Sequence, residues 1–124
     1  MKKRISSGSP YEAVIGYSRA VVAGDWCFVS GCTGAESDGR FLPDIARQAE
    51  NALNVIRQAL ADAGFDLSDV VRVQYTVTNR GLVDDLAPAL AAAFGEIRPA
   101  ATMVFADLIH PEMLVEIEVT ALRG

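Results

Sequence analysis

The segment Leu114 to Ala121, LVEIEVTA, alternates apolar and polar residues without a break. A β-strand has a side-chain period of two. Val115, Ile117, Val119 and Ala121 therefore belong to one face, and Leu114, Glu116, Glu118 and Thr120 to the other. A chain with such a segment must build a sheet with one buried face. The opposite face then carries two neighbouring carboxylates, which are either solvated or border a polar space with a function. Upstream, Thr102 to Ala106 reads as another strand. The intervening turn, with His110-Pro111, predicts a terminal hairpin opened by Arg98-Pro99.

Earlier segments supply more strands and two helices. Lys3 to Ile5 reads as a short edge strand. Arg19 to Val22 and Trp26 to Ser30 flank Gly24-Asp25, a pair suited to a two-residue hairpin turn. From Asp44 to Ala63 the residues Ile45, Ala49, Ala52, Leu53, Ile56 and Leu60 recur at helical spacing, between Pro43 and Gly64. Val70 to Thr78 alternates again, with Val71, Val73, Tyr75 and Val77 on one face and Arg72, Gln74, Thr76 and Thr78 on the other. A second helix runs from about Leu82 to Phe94. The reading is a single α+β domain spanning 1–124, with one mixed sheet and two helices on one face. The free sheet face would combine Arg72, Gln74 and Thr76 with Glu116, Glu118 and Thr120. It either faces water or packs against copies of itself, and we expect the latter.

Composition narrows the function. With 51% hydrophobic residues in 124, the chain can bury a core without staples. The formal net charge of −5 and the absence of a basic run beyond Lys2-Lys3-Arg4 argue against nucleic acid as a partner. No long apolar run or export signal is seen, so a cytoplasmic protein without membrane contact is expected. Cys27 and Cys32 are five apart on one strand segment and should point to opposite faces, which argues against a bridge between them. The single histidine, His110, reads as a solvated turn residue and cannot build a metal site alone; no cofactor is expected.

In order along the chain stand Ile15-Gly16-Tyr17, Val29-Ser30-Gly31, Gln48-Ala49 with Asn51-Ala52-Leu53, Ala63-Gly64, Asp69-Val70-Val71, Ala93-Phe94, Pro99-Ala100 and Val115-Glu116-Ile117-Glu118-Val119. Together they resemble the Rid family (YjgF/YER057c/UK114), the reactive-intermediate deaminases. That resemblance implies a chorismate-mutase-like fold and a homotrimer whose sheets form a central β-barrel. It also implies small-molecule clefts between subunits. The best-known members hydrolyse enamines and imines of amino acids. In them an arginine after Pro-Ala binds the substrate carboxylate, a glutamate in the last strand helps place water, and a tyrosine after Ile-Gly lines the cleft.

Carried over, the glutamate is Glu116, the tyrosine is Tyr17, and Ser30-Gly31 supplies cleft backbone. The arginine position is Ala101, a departure at the residue that defines the substrate class. A cleft asparagine is also lost, near Ala87, and Cys32 replaces the usual glutamine. The resemblance therefore implies a divergent branch, either a hydrolase of an altered imine-like substrate or a non-catalytic binding trimer. Glu116 is the candidate catalytic residue, with pairing to Arg72 or to a neighbouring subunit as its alternative role; Glu118 reads as structural. Tyr17, Ser30, Gly31, Cys32 and the backbone near Ala101 are the candidate ligand contacts. With alanine at 101 the cleft should favour a neutral ligand. Arg98 is the candidate replacement for the lost arginine, held extended before Pro99.

Overall fold

The computed structural model describes residues 2–124. Strands β1 (Lys2–Ile5), β2 (Ala20–Ala23), β3 (Trp26–Cys32), β4 (Val70–Val77), β5 (Ala100–Phe105) and β6 (Val115–Leu122) form one mixed sheet in the order β1-β2-β3-β6-β4-β5. Helices α1 (Ile45–Asp62) and α2 (Val83–Phe94) lie side by side, with α1 packed over β3 and β6. The last strand is thus central, antiparallel to both β3 and β4. Its Val115, Ile117, Val119 and Ala121 are all buried, as the alternation predicts.

Local chemistry sets the element boundaries. Gly24-Asp25 closes the β2–β3 hairpin between Ala23 and Trp26, with Gly24 at a φ of 60°. Asp44 caps α1 by accepting from the amides of Ala46 and Arg47. Gly64, at a φ of 85°, ends it: the Phe65 amide returns to the Leu60 carbonyl and the Gly64 amide to that of Ala61. A single π-type turn at Glu12–Gly16 stands in the stretch where the sequence suggests only loop.

Three expectations are corrected. The terminal hairpin does not form: β5 pairs in parallel with β4 at the sheet edge, and β6 inserts between β3 and β4. The α2 crossover carries the chain back to the start of β4, which makes parallel pairing the accessible geometry. Val71 is not on the core face but 40% exposed, because β4 places one extra residue between the pairs Val70–Ala121 and Arg72–Thr120. Cys27 and Cys32 do not point to opposite faces. A similar extra residue lies between the pairs Val29–Val119 and Cys32–Ile117, so both thiols enter the core. A bulge of this kind shifts every later side chain by one position relative to its partner strand.

One buried polar side chain ties these layers together. Gln48 of α1 donates from Nε2 to the carbonyls of Leu42 (2.8 Å) and Glu112 (3.0 Å), and its Oε1 accepts from the Leu114 amide (2.9 Å). Three backbone groups outside the strands are satisfied by one amide, which fixes the entrance to β6 against α1.

Candidate functional site

The bulge in β3 falls on Ser30-Gly31, beside Glu116 of β6. A Cβ at Gly31 would lie 2.6 Å from Glu116 Cδ and 2.9 Å from each carboxylate oxygen. Only glycine lets that carboxylate lie against the bulged backbone. Ser30 is pinned from the other side: its Oγ donates to the Ser18 carbonyl at 2.6 Å, and its amide donates to the Arg19 carbonyl at 2.9 Å.

Arg19, the residue that leads into β2, closes the arrangement. Its Nη1 donates to the Gly31 carbonyl (3.0 Å), with the Ser30 carbonyl at 3.4 Å and Cys32 Sγ at 3.1 Å. Arg19 thus takes up carbonyls that the interrupted ladder leaves free. No sequence motif marks Arg19; the available signal is an arginine heading the apolar run Ala20-Val21-Val22.

A cavity of about 930 Å³ opens beside this constellation. Tyr17, Arg19, Ser30, Gly31, Thr33 and Glu116 line one part of it, and the loop bearing His110 another. Burial, and then the nearby Glu118 charge, push the Glu116 carboxyl above its ordinary range, opposed by Arg19. That is the environment of a carboxylate able to exchange a proton nearer neutrality. His110 borders the same cavity and is exposed.

The other sequence candidates fall elsewhere within the chain. Cys32 is buried beneath the bulge and does not line the cavity; burial raises its thiol to about 11, so it is a thiol, not a thiolate, at neutral pH. Ala101 sits on β5 opposite Val73, on the far side of β4 from β6 and away from the cavity. Arg98 is not held extended before Pro99: its φ is 55°, in the left-handed region, where its amide donates to the Phe94 carbonyl at 2.8 Å. The turn out of α2 imposes this conformation against the pre-proline preference. Arg98 is exposed and does not border the cavity. Nor does Glu116 pair with Arg72 within the chain. Arg72 donates to Thr102 Oγ1 at 3.2 Å, and the register sets Glu116 opposite Thr76.

The model of the family described as Endoribonuclease L-PSP matches residues 8–123. The chain belongs to this family. Among solved structures, the chain is similar to a Mycobacterium tuberculosis protein described as a member of the highly conserved YjgF/YER057c/UK114 family. The two are 42% identical with a TM-score of 0.91, over 99% of this chain and 100% of the other. A YjgF-family protein from Neisseria meningitidis is 26% identical with a TM-score of 0.85, over 100% and 96% of the two chains. Among curated proteins, an uncharacterized Streptomyces coelicolor protein is 33% identical, over 98% of this chain and 92% of its own length. A RutC family protein from Pyrococcus horikoshii is 28% identical over 99% of both. The endoribonuclease L-PSP assignment agrees with the resemblance read from the sequence motifs.

Proposed function

We propose that this protein is an imine- or enamine-hydrolysing enzyme of the Rid type, with a substrate different from the usual 2-imino acids. The observation that carries the reading is the Glu116 carboxylate held over Gly31 in the cavity, with its proton affinity raised by burial. In the proposed step Glu116 takes a proton from water as the water oxygen bonds to the imine carbon. Glu116 returns that proton to the nitrogen, giving a carbinolamine; as the C–N bond breaks, the carbinol O–H proton passes to the nitrogen, which leaves as ammonia, and the carbon becomes a ketone. No thiol nucleophile is involved, since Cys32 is buried and protonated. Tyr17 and Ser30 complete the wall, and Ala101 joins the site from a neighbouring subunit. Cleavage of RNA, suggested by the family's name, fits poorly with a net charge of −5 and a single histidine.

An ammonia-release assay tests this reading. Hydrolysis of 2-iminobutyrate should be weak. An arginine fork contributes charge-assisted hydrogen bonds of roughly 1.5–3 kcal/mol each, and alanine at 101 contributes none. Imines without a carboxylate should be turned over faster. If no imine releases ammonia while small molecules still bind, the protein is a binding module and the hydrolase reading falls.

The site is proposed to be shared within a homotrimer. The sheet face away from the helices exposes Trp26 (41%) and Phe28 (48%), stacked with ring centroids 6.2 Å apart, beside Arg72, Gln74 and Glu118. Apolar and charged groups together favour a self-complementary interface. Light scattering at micromolar concentration should give three times the 13.2 kDa chain mass. A stable monomer would remove both the barrel and the shared cleft.

A further inference from the structure

Arg19 makes its hydrogen bonds to the protein through Nη1 alone. Its Nε is buried without a partner and out of reach of the cavity, whereas Nη2 has no protein partner and is not buried, so it is the donor left open where Arg19 lines the cavity. A guanidinium carries five N–H donors in one plane, so Arg19 can bind the bulge through Nη1 and still present Nη2 to a ligand. Arg19 and Glu116 border the same cavity, and the Arg19 charge opposes the upward shift of the Glu116 carboxyl, yet they form no ion pair. The ion pairs among the described residues are Arg40–Asp38 and Arg47–Glu36. A cation and a carboxylate thus border one cavity beside Gly31 without pairing, each with unused hydrogen-bonding capacity.

We infer that Arg19 is the specificity-determining residue of this cavity, selecting an uncharged ligand that turns a carbonyl oxygen toward Arg19 and an N–H toward Glu116. The class is an amide or a carbonyl-conjugated imine. This rests on the reading of the cavity as the ligand site and deepens it. An anionic ligand would bring a second negative charge beside Glu116. A cationic one would bring a second positive charge beside Arg19. A neutral dipole aligned between them meets both charges with opposite partial charge and gives up the least hydration. Arg19 also supplies a charge that alanine at 101 does not, without making the cavity cationic overall.

Three probes of similar size separate these cases: propionamide, propionate and n-propylamine. Each is titrated into the ¹⁵N-labelled full chain while the Ser30 and Gly31 amide signals are followed. Propionamide should bind about tenfold or more tightly than either charged probe, the scale of one hydrogen bond to a charged group. Arg19→Gln keeps a donor for the bulge but removes the charge. It should weaken propionamide about tenfold and move propylamine to first place. Arg19→Lys, which keeps the charge, should keep propionamide ahead of propylamine even if the glutamine variant fails to fold. An arginine that only braced the bulge would change all three affinities together and leave their order intact. The inference is overturned by propionate matching propionamide, by an unchanged order in Arg19→Gln, or by no saturable shift with any probe. Absence of imine turnover would leave this ranking untouched, so the two readings fail separately.

Discussion

Replacing Gly34 with alanine should destroy most of the protein's stability. A Cβ at this position would lie 1.8 Å from the Gln48 carbonyl oxygen, 2.5 Å from its carbonyl carbon and 2.7 Å from its Cα. All three are backbone atoms of α1, so no rotamer change relieves the contact. Moving the helix away would break the three bonds by which buried Gln48 holds Leu42, Glu112 and Leu114. It would also stretch the bond from Asn51 Nδ2 to the Gly34 carbonyl, now 3.3 Å. Overpacking together with unpaired buried polar groups costs at least about 3–5 kcal/mol, a large share of the roughly 5–15 kcal/mol typical of a whole domain. Urea denaturation should show a collapsed midpoint or no cooperative transition. Gly39→Ala is the control. Gly39 has a φ of 90° and open space around its Cβ position, so only backbone strain of about 1–2 kcal/mol applies. If Gly34→Ala lost no more than Gly39→Ala, the close contact between the loop and α1 would be wrong.

Glu116→Gln should separate stability from activity. The amide keeps the shape and the hydrogen-bonding reach of the carboxylate but cannot take a proton from water. On the proposed mechanism turnover should fall by about 10²–10⁴, with ligand binding retained. Wild-type activity should rise with pH through the raised Glu116 pKa, because the base must be ionised to act. Stability runs the other way. A carboxyl whose folded pKa lies above its ordinary value of 4.5 binds its proton more tightly in the native state. Its favourable contribution is complete below the unfolded pKa and is lost as pH rises through the folded one. The glutamine variant does not titrate there. It should therefore gain stability relative to wild type on going from acid to neutral pH, and the gain should level off above the folded pKa. Parallel denaturation series across that range measure the difference. Unchanged turnover in Glu116→Gln would end the catalytic assignment; a stability gap independent of pH would mean that the carboxylate is not buried as described.

The legible and the illegible parts of this chain divide along a physical line. Helix α1 could be read from Ile45, Ala49, Leu53 and Ile56, because a helix writes its period into one continuous segment. The Gly24-Asp25 turn and the alternation of β6 are local in the same sense. Tyr17, Ser30, Gly31 and Glu116 were legible as candidates through family motifs, and they border one cavity. What a strand pairs with is not local. Thr102 to Phe105 looks alike as half of a hairpin or as a parallel edge strand. Only the α2 crossover and the central place of β6 make it the latter.

The bulges at Ser30-Gly31 and Val71 were invisible for a related reason. A period of two counts residues along one strand, whereas a bulge is a mismatch between the counts of two strands. Cys32 consequently entered the core and Val71 left it. Arg19 was passed over because its role exists only once the bulge has freed carbonyls for it to bind. Arg98 took a positive φ because the turn from α2 into β5 outweighed the preference set by Pro99. The sequence by itself determined which segments are helix or strand and which residue types could do chemistry, since those follow from neighbours a few positions away. The tertiary structure alone decided strand order, the two register shifts and the meeting of Arg19, Gly31 and Glu116, since each depends on contacts between segments distant in the chain.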